Sequence, residues 1–274
     1  MLRLFSGSIH YNCTIHKANT DFPYLFMLHG FMGSEKVFEP IIEALKEFCN
    51  PVTIDLAGHG QTETPNRDGL LTTEQQVEQL RSILDRLQFT PLYLYGYSMG
   101  GRLAFQLISA FPELFTGAII ESAHCGLESE NERSERRELD LQRAAEINSD
   151  FPSFTDTWLK LPLFNNTPPP FAKLYERIIR SQQPELMSRS LREFGSGIMP
   201  AVCKKLPKEM PIHLVSGTLD KKYSALQTEL ANTQANIQFH PVSEAGHRIH
   251  TDQPDKLIKI IKEAMNPVQI QSDL

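Results

Sequence analysis

The amino-acid sequence predicts an α/β chain with a mostly parallel central sheet, flanked by helices and carrying a helical lid inserted before the late strands. Three observations carry that prediction. Short apolar runs that end in glycine turns alternate with segments of helical spacing; a glycine-flanked serine stands where one such strand meets a helix; and strand character lapses over 123–207 before it returns.

The elements follow in order. Tyr24-Leu25-Phe26-Met27-Leu28 runs into His29-Gly30-Phe31, and Val52-Thr53-Ile54 runs into Asp55-Leu56-Ala57-Gly58-His59-Gly60, both with the character of buried strands entering turns. Between them Phe38, Ile41, Ile42, Leu45 and Phe48 recur at helical spacing, and Val77, Leu80, Ile83, Leu84 and Leu87 repeat it over Glu74 to Leu87. The strand Leu92–Tyr95, a helix over Arg102 to Phe111 and the strand Gly117–Glu121 continue the alternation. From Ala123 to Pro207 only helical stretches and proline punctuation are legible. Strands return at Ile212–Val215 and Ile237–Phe239, and Lys256 to Met265 closes the pattern as a helix. These readings divide the chain into a core, 1–122 and 208–274, and a helical lid, 123–207. The last eight residues are expected to fray.

With 274 residues, 41% hydrophobic and 22% charged, the chain has the composition of a globular protein with a substantial core. A net charge of −6 argues against a nucleic-acid partner, which calls for a basic face. Residues Met1 to Asn12 lack the basic and apolar regions of a signal peptide, and no apolar run approaches the roughly 20 residues of a membrane span. Cys13, Cys49, Cys125 and Cys203 are widely separated, with no C-x-x-C and no Cys/His ligand spacing. The expectation is no structural zinc, no disulfide framework and a reducing cytoplasm.

Gly96-Tyr97-Ser98-Met99-Gly100-Gly101 follows a strand and opens a helix, the context in which G-x-S-x-G makes a sharp turn that lifts the serine above the sheet. A serine hydroxyl is weak at neutral pH and needs an imidazole to take its proton and an acid to orient that imidazole. Asp220, in the turn after Ile212–Val215, and His247, in the loop after Ile237–Phe239, supply both in the chain order serine, acid, histidine. Asp220 also suits a simple helix cap. His250 is the other candidate for the imidazole, while His59, flanked by glycines, is read as structural. After the first long strand, His29-Gly30-Phe31-Met32-Gly33 is placed to contribute an oxyanion-hole amide, which makes Phe31 N–H and Met99 N–H the expected pair.

These motifs resemble the α/β-hydrolase superfamily over Leu25 to about Glu263. Five further segments, Gly96–Arg102, Glu121–Leu127, Glu132–Arg137, Trp158–Phe164 and Leu191–Pro200, are similar to the MenH synthase family of menaquinone biosynthesis. Several lie in the lid, and Ala123-His124-Cys125 departs from the pattern of many relatives. The resemblance implies a carbon–oxygen lyase that eliminates pyruvate from 2-succinyl-5-enolpyruvyl-6-hydroxy-3-cyclohexene-1-carboxylate to give 2-succinyl-6-hydroxy-2,4-cyclohexadiene-1-carboxylate. It implies a small-molecule polycarboxylate substrate, Ser98 as base, Arg102, Arg136 and Arg180 as carboxylate clamps, Tyr97 and Trp158 as pocket walls, and neither metal nor organic cofactor. A hydrolase of esters, thioesters or carbon–carbon bonds would use the same Ser98 as nucleophile, and a non-catalytic binder would have no need of the three residues.

The charges are consistent with an anionic substrate. Arg102 falls in the first turn of the helix after Ser98, where the helix dipole disfavours a cation by up to about 1 kcal/mol, so an anion is expected beside it. Glu121 is the simplest protein partner. The lid holds eight of the fourteen arginines but is itself neutral, with twelve acidic and twelve basic residues, so the remainder carries the whole −6. Pairs such as Glu132–Arg136 and Arg136–Asp140 at i,i+4 need no ligand, and most lid arginines are expected on solvated helix surfaces.

Overall fold

The computed structural model describes residues 2–266; the fraying expected of the last eight residues lies outside them. In chain order the strands are β1 (Leu2–Ser6), β2 (Ile9–Ile15), β3 (Tyr24–Leu28), β4 (Asn50–Ile54), β5 (Leu92–Tyr97), β6 (Gly117–Glu121), β7 (Ile212–Gly217) and β8 (Ile237–Val242). The helices of the first half are α1 (Glu39–Leu45), α2 (Thr73–Leu87) and α3 (Met99–Ala110). Between β6 and β7 come α4 (Glu130–Ser149), α5 (Phe151–Leu159), α6 (Pro169–Arg180) and α7 (Pro184–Phe194). Then follow α8 (Lys221–Ala231), the single turn α9 (Ile249–Asp252) and α10 (Pro254–Met265).

All eight strands form one sheet in the order β1-β2-β4-β3-β5-β6-β7-β8, parallel from β4 to β8 and antiparallel at β1–β2 and β2–β4. The near-continuous apolar runs of the parallel strands have a simple cause: helices cover both faces, so both sets of alternating side chains are buried. Phe26 and Leu28 join Leu94, Ile120 and Leu214 on one face, while Leu25 and Met27 join Tyr95, Ile119 and Val215 on the other. Sequence order reverses between β3 and β5, and the loops at the carboxyl ends of the strands on either side of such a reversal form the crevice in which ligands bind.

The N-terminal hairpin of β1 and β2 is an addition to the strands expected from sequence. Its signal is nonetheless present. Ile9, Tyr11 and Cys13 alternate into the core, and Gly7, at φ +58°, and Ser8 form the two-residue loop between the paired Ser6 and Ile9.

The insertion shares a core with the sheet. Ala144, Ile147, Phe154, Tyr175, Ile179 and Met187 pack in one cluster with Leu25, Tyr97 and Val215. Arg189, 2% exposed, ties α7 to the loop before α2 by donating to the carbonyls of Pro65 and Arg67 and to Asn66 Oδ1, with Glu193 alongside. Glu193 in turn accepts from Leu71 N–H at 2.8 Å.

The cysteines correct the expectation of an unpaired set. Cys125 and Cys203, 78 positions apart, form a disulfide that joins the two ends of the insertion, and Val202 N–H donates to Cys125 O at 2.8 Å beside it. Cys13 and Cys49 remain free and buried. The pairing is invisible to spacing rules because the chain reaches it only after crossing four helices. Closing so long a loop restricts the unfolded ensemble, so Cys203→Ser should lower stability by about 2–4 kcal/mol in denaturant unfolding without reductant. Thiol titration of the denatured, unreduced wild type should count the two thiols of Cys13 and Cys49; a count of four would show the bond unformed.

Candidate active site

The turn between β5 and α3 is set by crowding. A Cβ on Gly96 would lie 2.6 Å from Gly100 O, and one on Gly100 would lie 2.3 Å from Leu28 O, so neither position admits a side chain. Ser98, at the apex, takes φ +52° and ψ −110°, a region that costs a non-glycine residue about 1–3 kcal/mol. Its Oγ lies 3.0 Å from His247 Nε2, and His247 Nδ1 lies 2.6 Å from Asp220 Oδ2. With Nδ1–H donating to the carboxylate, Nε2 is left to accept the serine proton. Asp220 also caps α8 by accepting from Tyr223 N–H at 3.4 Å, so the helix-cap reading and the orienting one hold together.

His250, the alternative imidazole, faces elsewhere. Its Nδ1 and its backbone N–H reach the Glu121 carboxylate at 2.9 and 3.2 Å, its Nε2 lies 2.6 Å from Tyr175 Oη, and Tyr95 Oη–H donates to the same carboxylate. This arrangement also corrects the simplest partner for Arg102, because Glu121 is fully buried and committed to His250 and Tyr95.

The segment after β3 passes close to the serine turn: a Cβ on Gly30 would lie 2.7 Å from Tyr97 Cε1. His29 braces it, with Nδ1 2.8 Å from Gly30 O and Nε2 accepting from Leu56 N–H at 3.0 Å. Among the described residues Phe31 N–H has no hydrogen-bond acceptor, and Met99, as the first residue of α3, has no intrahelical one. His59 is buried with Nδ1 3.1 Å from Ala57 O, in keeping with its structural reading.

Aromatic groups from the insertion reach these loops. The half-buried Trp158 ring meets Phe31 edge to face at 5.5 Å and Phe164 at 6.1 Å, with the Arg143 guanidinium 5.4 Å from its centroid. Tyr97, 4% exposed, stands 5.5 Å from the His247 ring. The sequence reading missed three neighbours. Tyr223 lies 4.9 Å from the His247 ring, and Phe164 lies 6.3 Å from it. Arg248 sits between Phe164 and Tyr175, 3.7 and 3.5 Å from their centroids, and fastens the insertion to the loop that carries His247.

The three arginines proposed as clamps divide. Arg102 is 8% exposed; it donates to Phe194 O at 3.0 Å and lies over the Phe194 ring, and no carboxylate pairs with it among the described residues. Burial, then the nearby charge of Arg136, lowers its pKa to about 10. Arg136 is close by, its Nε 2.9 Å from Asp140 Oδ1, the i,i+4 pair expected from sequence. Arg180 does not join them. Its side chain, 41% exposed, donates to Asp156 at 2.6 Å and to Glu176 at 3.0 Å, because the last turn of α6 faces solvent and two carboxylates.

Fold and geometry together define a class: the chain belongs to the α/β-hydrolase fold family, whose pattern, described as "alpha/beta hydrolase fold", matches residues 23–195. Within that class the particular family is also shown. A Bacillus subtilis (strain 168) protein named "Putative 2-succinyl-6-hydroxy-2,4-cyclohexadiene-1-carboxylate synthase" is 31% identical, over 88% of this chain and 89% of its own length. A Citrobacter koseri protein named as the same synthase is 28% identical over 88% of this chain and 94% of its own. The structure titled "Structure of MenH from S. aureus" superposes with a TM-score of 0.86 at 29% identity, covering 94% of this chain and 98% of that one. A thermophilic esterase from Thermogutta terrifontis, at TM-score 0.83 but 20% identity, shares the fold alone.

Four histidines are held neutral by burial. The pKa falls to about 4 for His29 and to about 3 for His59; it falls to about 3 for His124, where Arg102 and Arg136 add to burial, and to about 4 for His213, which faces His240. Each sits below the ordinary 6.5, so the unfolded chain binds these protons first as pH falls. Their contribution to stability is complete above about pH 6.5 and is lost on acidification towards pH 4, by up to about 1.4 kcal/mol per pH unit for each histidine. Denaturant unfolding between pH 7 and 4.5 should show that decline, and a flat profile would refute it.

Proposed function

We propose that the chain is a 2-succinyl-6-hydroxy-2,4-cyclohexadiene-1-carboxylate synthase, a lyase that eliminates pyruvate from the enolpyruvyl precursor. The observation that carries this reading beyond the fold is Arg102: a buried guanidinium, one helical turn from Ser98, with no carboxylate partner among the described residues. A neutral ester would leave that charge unanswered. A polycarboxylate answers it, and guanidinium suits the task through bidentate pairing.

In this mechanism His247, oriented by Asp220, takes the Ser98 proton, and Ser98 Oγ removes the proton from the carbon next to the succinyl ketone. Charge collects on the ketone oxygen, where Phe31 N–H and Met99 N–H donate to the enolate. The electron pair returns through the ring, the carbon–oxygen bond to the enolpyruvyl group breaks, and the proton held on His247 is available to the departing pyruvate enolate. No acyl-enzyme forms. The helices over 123–207 act as a lid whose Trp158, with Tyr97 below it, walls the pocket and keeps water from the enolate.

Two measurements test this. Ser98→Ala removes the proton acceptor and leaves the amides and arginines, so pyruvate release from the enolpyruvyl precursor should fall at least about 10³-fold with little change in substrate affinity. Near-normal turnover would move the base to another group. Arg102→Ala should lower kcat/KM for the polycarboxylate by about 10- to 150-fold, the loss of one charge-assisted bond of roughly 1.5–3 kcal/mol. Arg102→Lys should recover part of it, and hydrolysis of a small neutral ester should hardly respond. Equal losses on both substrates would show that Arg102 serves only to hold α3 against Phe194.

A further inference from the structure

His124 lies just after β6, in the stretch that departs from the pattern of the resemblance. The ring is 6% exposed, and its Nδ1 accepts from Gly126 N–H at 3.1 Å. That bond fixes the tautomer: Nδ1 carries the lone pair, so the proton of the neutral ring is on Nε2. Nε2 has no partner among the described residues, and unlike Ser122 Oγ or Arg133 Nε it is not sealed from solvent. The ring stacks on Tyr223, centroids 6.3 Å apart and planes 22° from parallel, and Tyr223 in turn stands 4.9 Å from the His247 ring.

The surroundings are cationic. Burial, then the charges of Arg102, Arg136 and Lys222, lowers the His124 pKa to about 3, so the ring is uncharged at neutral pH. A fourth cation here would add repulsion, whereas a neutral N–H adds a directed hydrogen bond without it. The turn that carries the donor is rigid. Gly126 sits at φ +122° with its Cα facing Ala201, where a Cβ would come within 2.3 Å of Ala201 Cα, and Cys125 is tied to Cys203 by the disulfide and to Val202 by a backbone bond. The donor is therefore ordered before any ligand arrives.

Resting on the synthase reading, we propose that His124 is a substrate-binding residue whose Nε2–H donates to a carboxylate held between Arg102 and Arg136. A purely structural role would need only Nδ1, and two variants separate the roles. His124→Asn keeps an acceptor for Gly126 N–H but loses the Nε2 donor, while His124→Gln keeps a donor near Nε2 and loses the acceptor. His124→Asn should raise KM for pyruvate release about tenfold with kcat little changed, and should weaken calorimetric binding of propane-1,2,3-tricarboxylate by a similar factor at an unchanged melting temperature. His124→Gln should retain more of both affinities despite a lower melting temperature. A His124→Asn protein that matches the wild type in KM and in tricarboxylate binding overturns the proposal. A wild type that binds propane-1,2,3-tricarboxylate, more weakly in His124→Asn, but releases no pyruvate would sink the synthase reading and leave the binding role standing.

Discussion

The turn at Ser98 is the constraint from which the rest of the site takes its position. Because a Cβ on Gly96 would meet Gly100 O and one on Gly100 would meet Leu28 O, only bare glycines let the start of α3 close against the ends of β5 and β3, with the serine at the apex at φ +52°. The strain must be held by neighbours. Ser98 N–H donates to Glu121 O at 2.9 Å, which ties the apex to the end of β6, and the next parallel strands then decide where the partners stand. Asp220 follows β7 and His247 follows β8, both at carboxyl ends and level with the serine, so one sheet register sets both hydrogen bonds of the chain from Ser98 to Asp220.

A second, buried set of bonds keeps the His247 loop from moving independently. Glu121 joins Tyr95 of β5 to His250 of α9, and His250 joins Tyr175 of α6. Asp252 Oδ2 accepts from Gly246 N–H at 2.8 Å on the other side of His247. With no solvent to replace a lost partner, the bonds among Tyr95, Glu121, His250 and Tyr175 are costly to break. The consequence is mechanical: the insertion, through Tyr175 and through Arg248 wedged between Phe164 and Tyr175, bears on the residues flanking the imidazole. Displacement of α6 would therefore act on the loop that carries His247.

What the sequence made legible was local. Strands followed by helices, the Gly-x-Ser-x-Gly turn, and an acid and a histidine in loops after later strands are all written within a few residues, and the structure brings Ser98, His247 and Asp220 together. What escaped was long-range pairing. Nothing near Cys125 points to Cys203, and nothing near Glu121 distinguishes a partner at Arg102, four residues into α3, from one at His250, 129 positions away. The same holds for Tyr223 and Phe164, whose roles depend on how two loops face each other. The β1–β2 hairpin is different: its alternation and its Gly-Ser loop are local signals, confined to Leu2–Ile15.

The arginines show why residue type alone assigns no role. Arg189 and Arg102 are both buried, yet Arg189 meets backbone carbonyls, an asparagine oxygen and Glu193, whereas Arg102 meets one carbonyl, the Met199 sulfur and an aromatic face. Arg180 has two carboxylates but lies in solvent, where such pairs contribute little. A desolvated guanidinium without a counter-charge is unfavourable in the folded protein, and its lowered pKa, to about 10, reports that imbalance. Under the proposed function a substrate carboxylate that enters beside Ser98 relieves the imbalance, and His124 would contribute there without increasing the charge. Recognition of the substrate and its placement against the serine are in this way parts of the same electrostatic arrangement, because the helix that carries Arg102 is the one that begins immediately after Ser98.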